Sequence, residues 1–515
     1  MPTAYRLSTL DIVALLAFLG VVVLIAVRSA RRAHTTKAYF LADCSAPGWA
    51  VGLSFVGTSI SSLTFLAFPA GAYAGNWAKL VPFLVIPFVA IVADRVCLPI
   101  YRRTGVTSGY EYLERRFGPF ARLYGSVMFL LLQIGRVGLI LVLLSLPLQL
   151  LTGLSQAQAI ALCGVFTTLY VLFGGLDAVV WTDVLQTVFL ALGGVVCAGL
   201  MLWELPGGLG TVLEAGRAAG KFAIPPLHVA GEGLGADFVQ LTLVVLVLNG
   251  VFNQLLYYSA DQNIIQRYLA TGSGREARKA LWIGSLGVVP MFTFFTFLGT
   301  CLYVYYARVP DPAVAGLSAD QVFPHFILTR VPHGVVGLIV AAVLAAAMSS
   351  VDSNLNAIAM VFQIDIYRRH LVKGRPDAHY LRVAKLTTLA AGAIMTCGAL
   401  ALSTVPTTTV LHLMFLVYAI FAGGLAGLFL LGMMSRRANA RGVAVGIVAS
   451  LGLSLYLTCS HFGWLVPEGM RSPTHPYLIG ALGNSAMLVV GYVASLALAR
   501  GTAAPPADGL TVWRA

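Results

Sequence analysis

The sequence predicts an all-α integral membrane protein of about thirteen transmembrane helices, and three observations carry that prediction. The 515 residues are 58% hydrophobic and only 10% charged, with mean hydropathy +0.86. Soluble chains carry about 25% charged residues, and no soluble fold hides this much apolar surface. Apolar runs of about 20 residues recur from end to end, each long enough to cross the hydrocarbon core as a helix. Lys and Arg gather in alternate short connections, which is the topology signal of a membrane protein.

The predicted spans cover roughly 8–28, 47–73, 78–101, 120–151, 156–174, 179–203, 236–258, 277–306, 333–367, 382–403, 406–433, 440–462 and 475–500. No stretch between them is long or polar enough for a separate soluble domain. Residues 1–500 therefore read as one transmembrane domain, and the Ala/Pro/Gly-rich 501–515 as a flexible cytoplasmic tail. The first run has no small-residue cleavage site after it and reads as a retained span.

The net charge of +13 would suggest nucleic acid in a soluble protein. Here the cations follow odd-numbered spans: Arg28, Arg31, Arg32 and Lys37; Arg102, Arg103, Arg115 and Arg116; Arg267, Arg275, Arg278 and Lys279; Arg368, Arg369, Lys373, Arg375, Arg382 and Lys385; Arg436, Arg437 and Arg441. The alternate connections Gly75–Asn76, Thr152–Gln156 and Ser403–Thr409 are poor in them. By the positive-inside rule the N-terminus lies outside and the C-terminus in the cytoplasm, in a cell inner membrane. The longer outer connections 204–235 and 307–332 read as external caps. The seven cysteines stand singly without metal-ligand spacing and read as small hydrophobes. No nucleotide loop, zinc motif or nucleophile triad is present, so the chain does not read as an enzyme.

Spans 2 and 7 differ from the others. Span 2 carries the polar run Gly57-Thr58-Ser59-Ile60-Ser61-Ser62-Leu63-Thr64, then Pro69 and Gly71; span 7 carries Asn249, Gly250, Asn253 and Gln254. Five spans apart, they cross in opposite directions. Interrupted helices at matching positions of two opposed halves point to an inverted-repeat transporter with its cavity between them.

Several ionisable or polar features stand where a membrane disfavours them. In span 9, Ser349, Asp352 and Ser353 share one helical face, with Asn356 a turn further. Oxygen ligands suit a hard cation such as sodium; serines bonded back to their own helix, with Asp352 at a cytoplasmic mouth, would look the same. Asp183 reads either as a site residue or as an acid complementing a helix N-terminus. Arg136 sits mid-span, where an arginine costs about 2.5–3.5 kcal/mol. It reads either as a clamp for an anionic solute, since guanidinium meets carboxylate bidentately, or as the structural partner of an internal acid such as Asp183 or Asp352. Asp94 and Arg95 read as a simple pair, Asp365 as an interfacial acid and His412 as a packing residue.

On these residues the chain resembles the sodium:solute symporter family. The resemblance rests on Trp49-Ala50-Val51-Gly52-Leu53-Ser54, on Gly174-Gly175-Leu176-Asp177-Ala178-Val179-Val180-Trp181-Thr182-Asp183 with Gln186, on Asp261-Gln262-Asn263-Ile264-Ile265-Gln266-Arg267-Tyr268-Leu269, and on the span 9 run ending Asp365-Ile366-Tyr367-Arg368. It implies a five-plus-five inverted-repeat core, roughly 47–203 and 236–433, with one extra N-terminal helix. It also implies a sodium site at the carbonyls of Gly57, Ile60 and Ala346 and the hydroxyls of Ser349 and Ser350. Solute contacts would fall at Ser59, Ser61 and Thr64. Ser61-Ser62-Leu63-Thr64-Phe65 and Gln133-Ile134-Gly135-Arg136 resemble the bacterial sialic-acid branch, which implies that Arg136 holds the solute carboxylate. A second sodium or a proton is implied at Asp183, Ser349, Asp352 and Ser353, although Asp352 stands where that branch has a hydroxyl.

The expectation is a monomeric symporter importing sodium with a small, anionic solute, best a sugar acid such as sialic acid. Neutral sugars, polyols and monocarboxylates are the alternatives within transport, and a transporter-like membrane sensor the alternative of another class.

Overall fold

The computed structural model describes residues 8–60, 62–228, 236–404, 417–418, 420–498 and 509–513. Every secondary-structure element among them is helical. Among the described residues nine helices are long and apolar enough to cross a membrane, or eleven if each of two bent pairs is one span.

α1 (Thr9–Ala30) starts at a capping box between Ser8 and Asp11. It turns Leu10, Ile12, Val13, Leu16 and Leu24 outward, as only a helix solvated by lipid can do without penalty. A short α2 (Thr36–Leu41) leads into α3 (Gly48–Ser59) and α4 (Ser62–Ala74), which meet at a 52° bend. The expected interruption of span 2 therefore lies directly after Ser59. α5 (Trp77–Thr104) and the short α6 (Gly109–Phe117) follow, then α7 (Pro119–Thr152), whose proline at the first position suits a helix start.

α8 (Gln156–Glu204) is 49 residues long and breaks at Gly175, where φ is +58°. A side chain there would strain the backbone and meet the Tyr39 carbonyl oxygen at 2.5 Å. The break coincides with the expected turn between spans 5 and 6. α9 (Gly208–Ala218) lies in the connection expected to form an outer cap.

Span 7 is where the structure departs from the expectation. α10 (Leu243–Ser259) runs unbroken through Asn249, Gly250, Asn253 and Gln254. These residues are tolerated mid-helix because they line a cavity, and Gly250 lets the Pro82 backbone approach to where a Cβ would be 2.5 Å away. The bend, 48°, comes later, where Asp261 caps α11 (Gln262–Ala270) by accepting the Asn263 amide. All nine residues of α11 are buried. Arg267, read above as a loop cation, is among them.

α12 (Gly274–Arg308), α13 (Ala319–Arg330) and α14 (Val335–Leu371) come next. α14 is the most enclosed of the spans and is π-wound over its last ten residues, Phe362–Leu371. α15 (Asp377–Leu402) and α16 (Leu425–Met434) flank residues outside the described set, which include His412. α17 (Ala440–Phe462) and α18 (Ile479–Ala497) pack closely through Gly442 and Gly446, four apart, with Ser495 and Gly491 opposite.

Further corrections concern charges. Asp94 pairs with Arg278 at 2.6 Å rather than with Arg95. Asp365 is fully buried, bonded by Arg122 at 2.7 Å and Ser108 at 2.6 Å. Arg116, counted as a loop cation, is buried and caps the end of α16 through the Gly432 and Ser435 carbonyls. Part of the expected flexible tail is docked: the Tyr112 hydroxyl bonds the Leu510 carbonyl at 2.9 Å and Val512 N–H the Met433 carbonyl at 2.9 Å. Thr511 there is buried.

Candidate functional site

A cavity of about 1340 Å³ runs from Gly75–Asn76, Ser318–Gln321 and Pro476–Tyr477 at its mouth down to Arg136, Asp261, Tyr257 and Ser59. Its wall combines α4, α5, α7, α10, α12 and α18. The turn-and-cap chemistry of the two bent pairs explains its floor. Ser59 ends α3 and bonds back to the Phe55 carbonyl at 2.8 Å, with the Tyr257 hydroxyl 3.2 Å away. Asp261 opens α11 and so stands at the foot of α10.

Arg136 faces this cavity with its side chain 22% exposed. Its nearest acid is Asp261, at 3.8 Å, and not Asp183 or Asp352 as the sequence suggested. That separation is an ion pair but too long for a hydrogen bond. Asp261 is otherwise supplied with donors: Gln133 at 3.1 Å and the Asn263 backbone and side-chain amides at 2.9 and 2.8 Å. The Tyr418 ring centre lies 6.0 Å from the Arg136 guanidinium carbon. Arg136 thus offers its donors to the cavity without a hydrogen bond to any described residue. Ser61 lies outside the described residues. Thr64 is buried and is not among the described residues lining the cavity.

Behind the cavity, α3, α8, α11 and α14 enclose a second polar cluster. Arg267 Nη2 donates to Asp183 at 2.9 Å and to Ser353 at 2.8 Å, and also bonds Thr58. Ser54 donates to Asp183 at 2.6 Å and to the cluster's arginine it accepts at 3.1 Å. Ser353 donates to Asp352 at 3.2 Å, and the Tyr170 hydroxyl donates to the other carboxylate oxygen of Asp352. Asp183, Asp352, Ser353 and Arg267 are all at most 2% exposed. Asp352 is therefore not at a mouth. Two carboxylates and one guanidinium leave one formal negative charge in a water-poor interior, where Coulomb interactions are strong. Asp183 Oδ1 and both polar atoms of Gln186 have no hydrogen-bond partner among the described residues.

Adjacent to this cluster, the Ser349 hydroxyl lies 3.0 Å from the Gly57 carbonyl oxygen and 3.1 Å from that of Ala346. The Gly57 carbonyl is presented by the last turn of α3, where a helix runs out of amide donors. Ile60 and Ser350 are buried beside them, at the α3 end and on α14. The Ser349 hydroxyl with the Gly57 and Ala346 carbonyls is an oxygen set of the kind that suits a hard cation.

Sequence reasoning missed the partners. Arg267 was masked by its neighbours in a cationic stretch, although Ile264, Ile265, Tyr268 and Leu269 around it signal burial. Asp261 was visible as a helix-capping acid directly after a span. Tyr170 and Tyr257 carried no local signal.

Bent spans around a central polar cavity in a helical membrane protein are the architecture of a secondary transporter. Residues 39–450 match the sodium:solute symporter family, and the chain belongs to that family. It is a sodium-coupled membrane transporter and not an enzyme. It is 32% identical over 496 residues to the sodium/sialic acid symporter NanT of Aliivibrio fischeri, covering 95% of this chain and 94% of that one. It is 31% identical over 481 residues to the sodium/sialic acid symporter SiaT of Proteus mirabilis, covering 93% of each. Its fold is similar to the substrate-bound outward-open state of a Na+-coupled sialic acid symporter, with TM-score 0.86, 30% identity, and coverage of 95% of this chain and 98% of that one.

Proposed function

We propose that this chain imports a carboxylate-bearing sugar, best sialic acid, together with sodium by alternating access. The observation that carries the reading is Arg136, a guanidinium at the foot of the cavity with no hydrogen bond to a described residue. A solute carboxylate supplies the two acceptors that its fork lacks. The similarity to the NanT and SiaT symporters supports the same solute class. In this reading Ser59 and Ser61 contact the solute, and Thr64, buried off the cavity lining, does not. Gly57, Ile60, Ala346, Ser349 and Ser350 hold sodium, bracing α3 against α14.

The architecture we propose has about thirteen spans, a five-plus-five inverted-repeat core at 47–203 and 236–433, and one extra N-terminal helix. The N-terminus is outside and the C-terminus cytoplasmic, so the cavity mouth opens outward. The working unit is a monomer embedded in lipid.

Asp183, Ser349, Asp352 and Ser353, with Arg267 among them, take a second cation, a sodium ion or a proton. Charge arithmetic favours it. A monoanion moving with one sodium gains nothing from the membrane potential, whereas each further cation gains about 2.3 kcal/mol per 100 mV.

A neutral sugar or polyol is the second reading, favoured by Asp261, which already balances the charge of Arg136. Proteoliposome uptake of sialic acid tests both. Rates that are equal in sodium and choline buffers, without a pH gradient, overturn sodium coupling. Arg136→Ala is expected to abolish carboxylate uptake; a variant that carries neutral sugar as well as the parent supports the second reading.

A further inference from the structure

A second pocket, of about 380 Å³, opens at the end of the helices opposite the cavity mouth. Its basic lining comes from three separate elements: Lys37 on α2, Arg102 at the end of α5 and Arg368 on the π-wound end of α14. No Asp or Glu is among the described residues lining it. Two acids of neighbouring turns are engaged elsewhere. Asp377 accepts the Thr36 amide and hydroxyl at 3.0 and 2.5 Å, and Glu111 takes Arg115 and the Thr107 amide.

The pocket also contains a polar group that the described residues leave unsatisfied. Gln363 lines it, is fully buried, and neither its amide oxygen nor its amide nitrogen has a hydrogen-bond partner among the described residues. Leaving such a group unbonded is costly, and a buried, unbonded amide in the wall of a cationic pocket marks a place for a polar ligand. π-winding is itself unfavourable and is found mostly at functional positions; here it brings Gln363, Ile364 and Arg368 onto one pocket wall. Arg102 spends Nη1 on the Thr271 carbonyl at 2.9 Å, which orients its guanidinium.

We infer that this pocket binds a phosphate-bearing anion at the cytoplasmic face, with Lys37, Arg102 and Arg368 neutralising the phosphate and the Gln363 amide donating to it. The site is separate from the solute cavity and does not depend on which solute is carried. Basic pockets between membrane helices at this depth recognise anionic headgroups. A soluble phosphate ester has the same chemistry.

The test uses the full-length protein in neutral detergent and in phosphatidylcholine nanodiscs. Native mass spectrometry measures retained phosphatidylglycerol against phosphatidylcholine. Thermal unfolding measures stabilisation by inorganic phosphate and glycerol phosphate. The variants are the double substitution Lys37→Gln with Arg368→Gln, and Gln363→Leu; Arg217→Gln on α9, at the opposite face, is the control. Phosphatidylglycerol retention is expected to fall roughly fivefold for each cation removed and to be unchanged in the control. Gln363→Leu is expected to raise the melting temperature without ligand, by removing an unbonded amide, while weakening retention. Stabilisation by the soluble phosphates that disappears in the double variant identifies a soluble ligand; stabilisation by phosphatidylglycerol alone identifies the headgroup. Retention and stabilisation in the double variant equal to those of the parent in both arms overturn the inference.

Discussion

Arg267 and Asp183, 84 residues apart in sequence, form a 2.9 Å ion pair in which neither side chain is more than 1% exposed. The pair joins α11 to α8, and through Ser353 it also holds α14. Ser54, Thr58 and Ser353 add hydrogen bonds that offset part of the cost of desolvating the two charges, while Asp183 Oδ1 keeps no partner among the described residues.

Removing one partner leaves the other buried and uncompensated. Asp183→Asn or Arg267→Met alone is expected to cost about 3–5 kcal/mol. The double variant is expected to recover part of that loss. Melting temperature in detergent, followed by size-exclusion chromatography, checks it; a double variant less stable than both singles would show that the pair is not the relevant contact.

If Arg136 holds the solute carboxylate as proposed, Asp261 at 3.8 Å competes with it. Asp261→Asn keeps a residue that caps α11 well and removes the competing charge. Its apparent KM for a sugar acid is expected to fall several-fold, while uptake of a neutral sugar is not improved. An increase in KM for the acid would mean that Asp261 orients Arg136 rather than opposing the solute.

Ser349 brings its hydroxyl to the Gly57 and Ala346 carbonyls. Ser349→Ala removes one oxygen from that set. The sodium concentration for half-maximal uptake is expected to rise by about tenfold, equivalent to about 1.4 kcal/mol of binding. Sodium titration of uptake at fixed solute reads this directly, and an unchanged midpoint would remove Ser349 from the cation site.

Asp352 contributes the second negative charge of the buried cluster. Asp352→Asn makes the cluster neutral by count, so the variant is expected to move one positive charge fewer per solute. Simultaneous measurement of current and labelled-solute flux gives that ratio. A ratio equal to the parent's places the second cation elsewhere.

Glu114, on α6 outside the spans, ties Arg369 and Arg122 together. Partial burial pushes its carboxyl up, but the hydrogen bonds and charges of both arginines outweigh burial and hold it below its ordinary value of 4.5. The sign follows: a lowered carboxyl contributes stability above its ordinary value, and that contribution is lost as pH falls through the lowered one. Glu114→Gln is expected to lower the melting temperature at neutral pH. The gap to the parent should narrow as the medium is taken below pH 4.5. A gap that stays constant on acidification would show that charge at Glu114 is not what stabilises this end of the helices.

Much of this architecture was legible because a bilayer makes local demands. Each span must be about 20 apolar residues, and cations must gather on one side, so hydropathy and charge mark the helices one at a time. The helix break after Ser59, the helix starts at Ser8 and Ser155, and the Gly175 turn all sit where short-range signals place them. Span 7 shows the limit of such signals. Asn249 and Gly250 look like a break, yet the helix continues because the Asn249 amide donates to the Tyr477 carbonyl at 2.8 Å and the Pro82 backbone occupies the space that Gly250 leaves.

Membrane solvation, helical class and the oxygen-rich face of α14 follow from residue order, since they depend on neighbours within a few turns. The choice of partners does not. Asp261 rather than Asp183 stands beside Arg136, and Arg267 rather than a loop lies against Asp183, because in a low-dielectric interior each charge must meet whatever opposite charge packing brings within reach. Those contacts join residues 84 and 125 positions apart. Only the packing of α7, α8, α11 and α14 against one another brings them together.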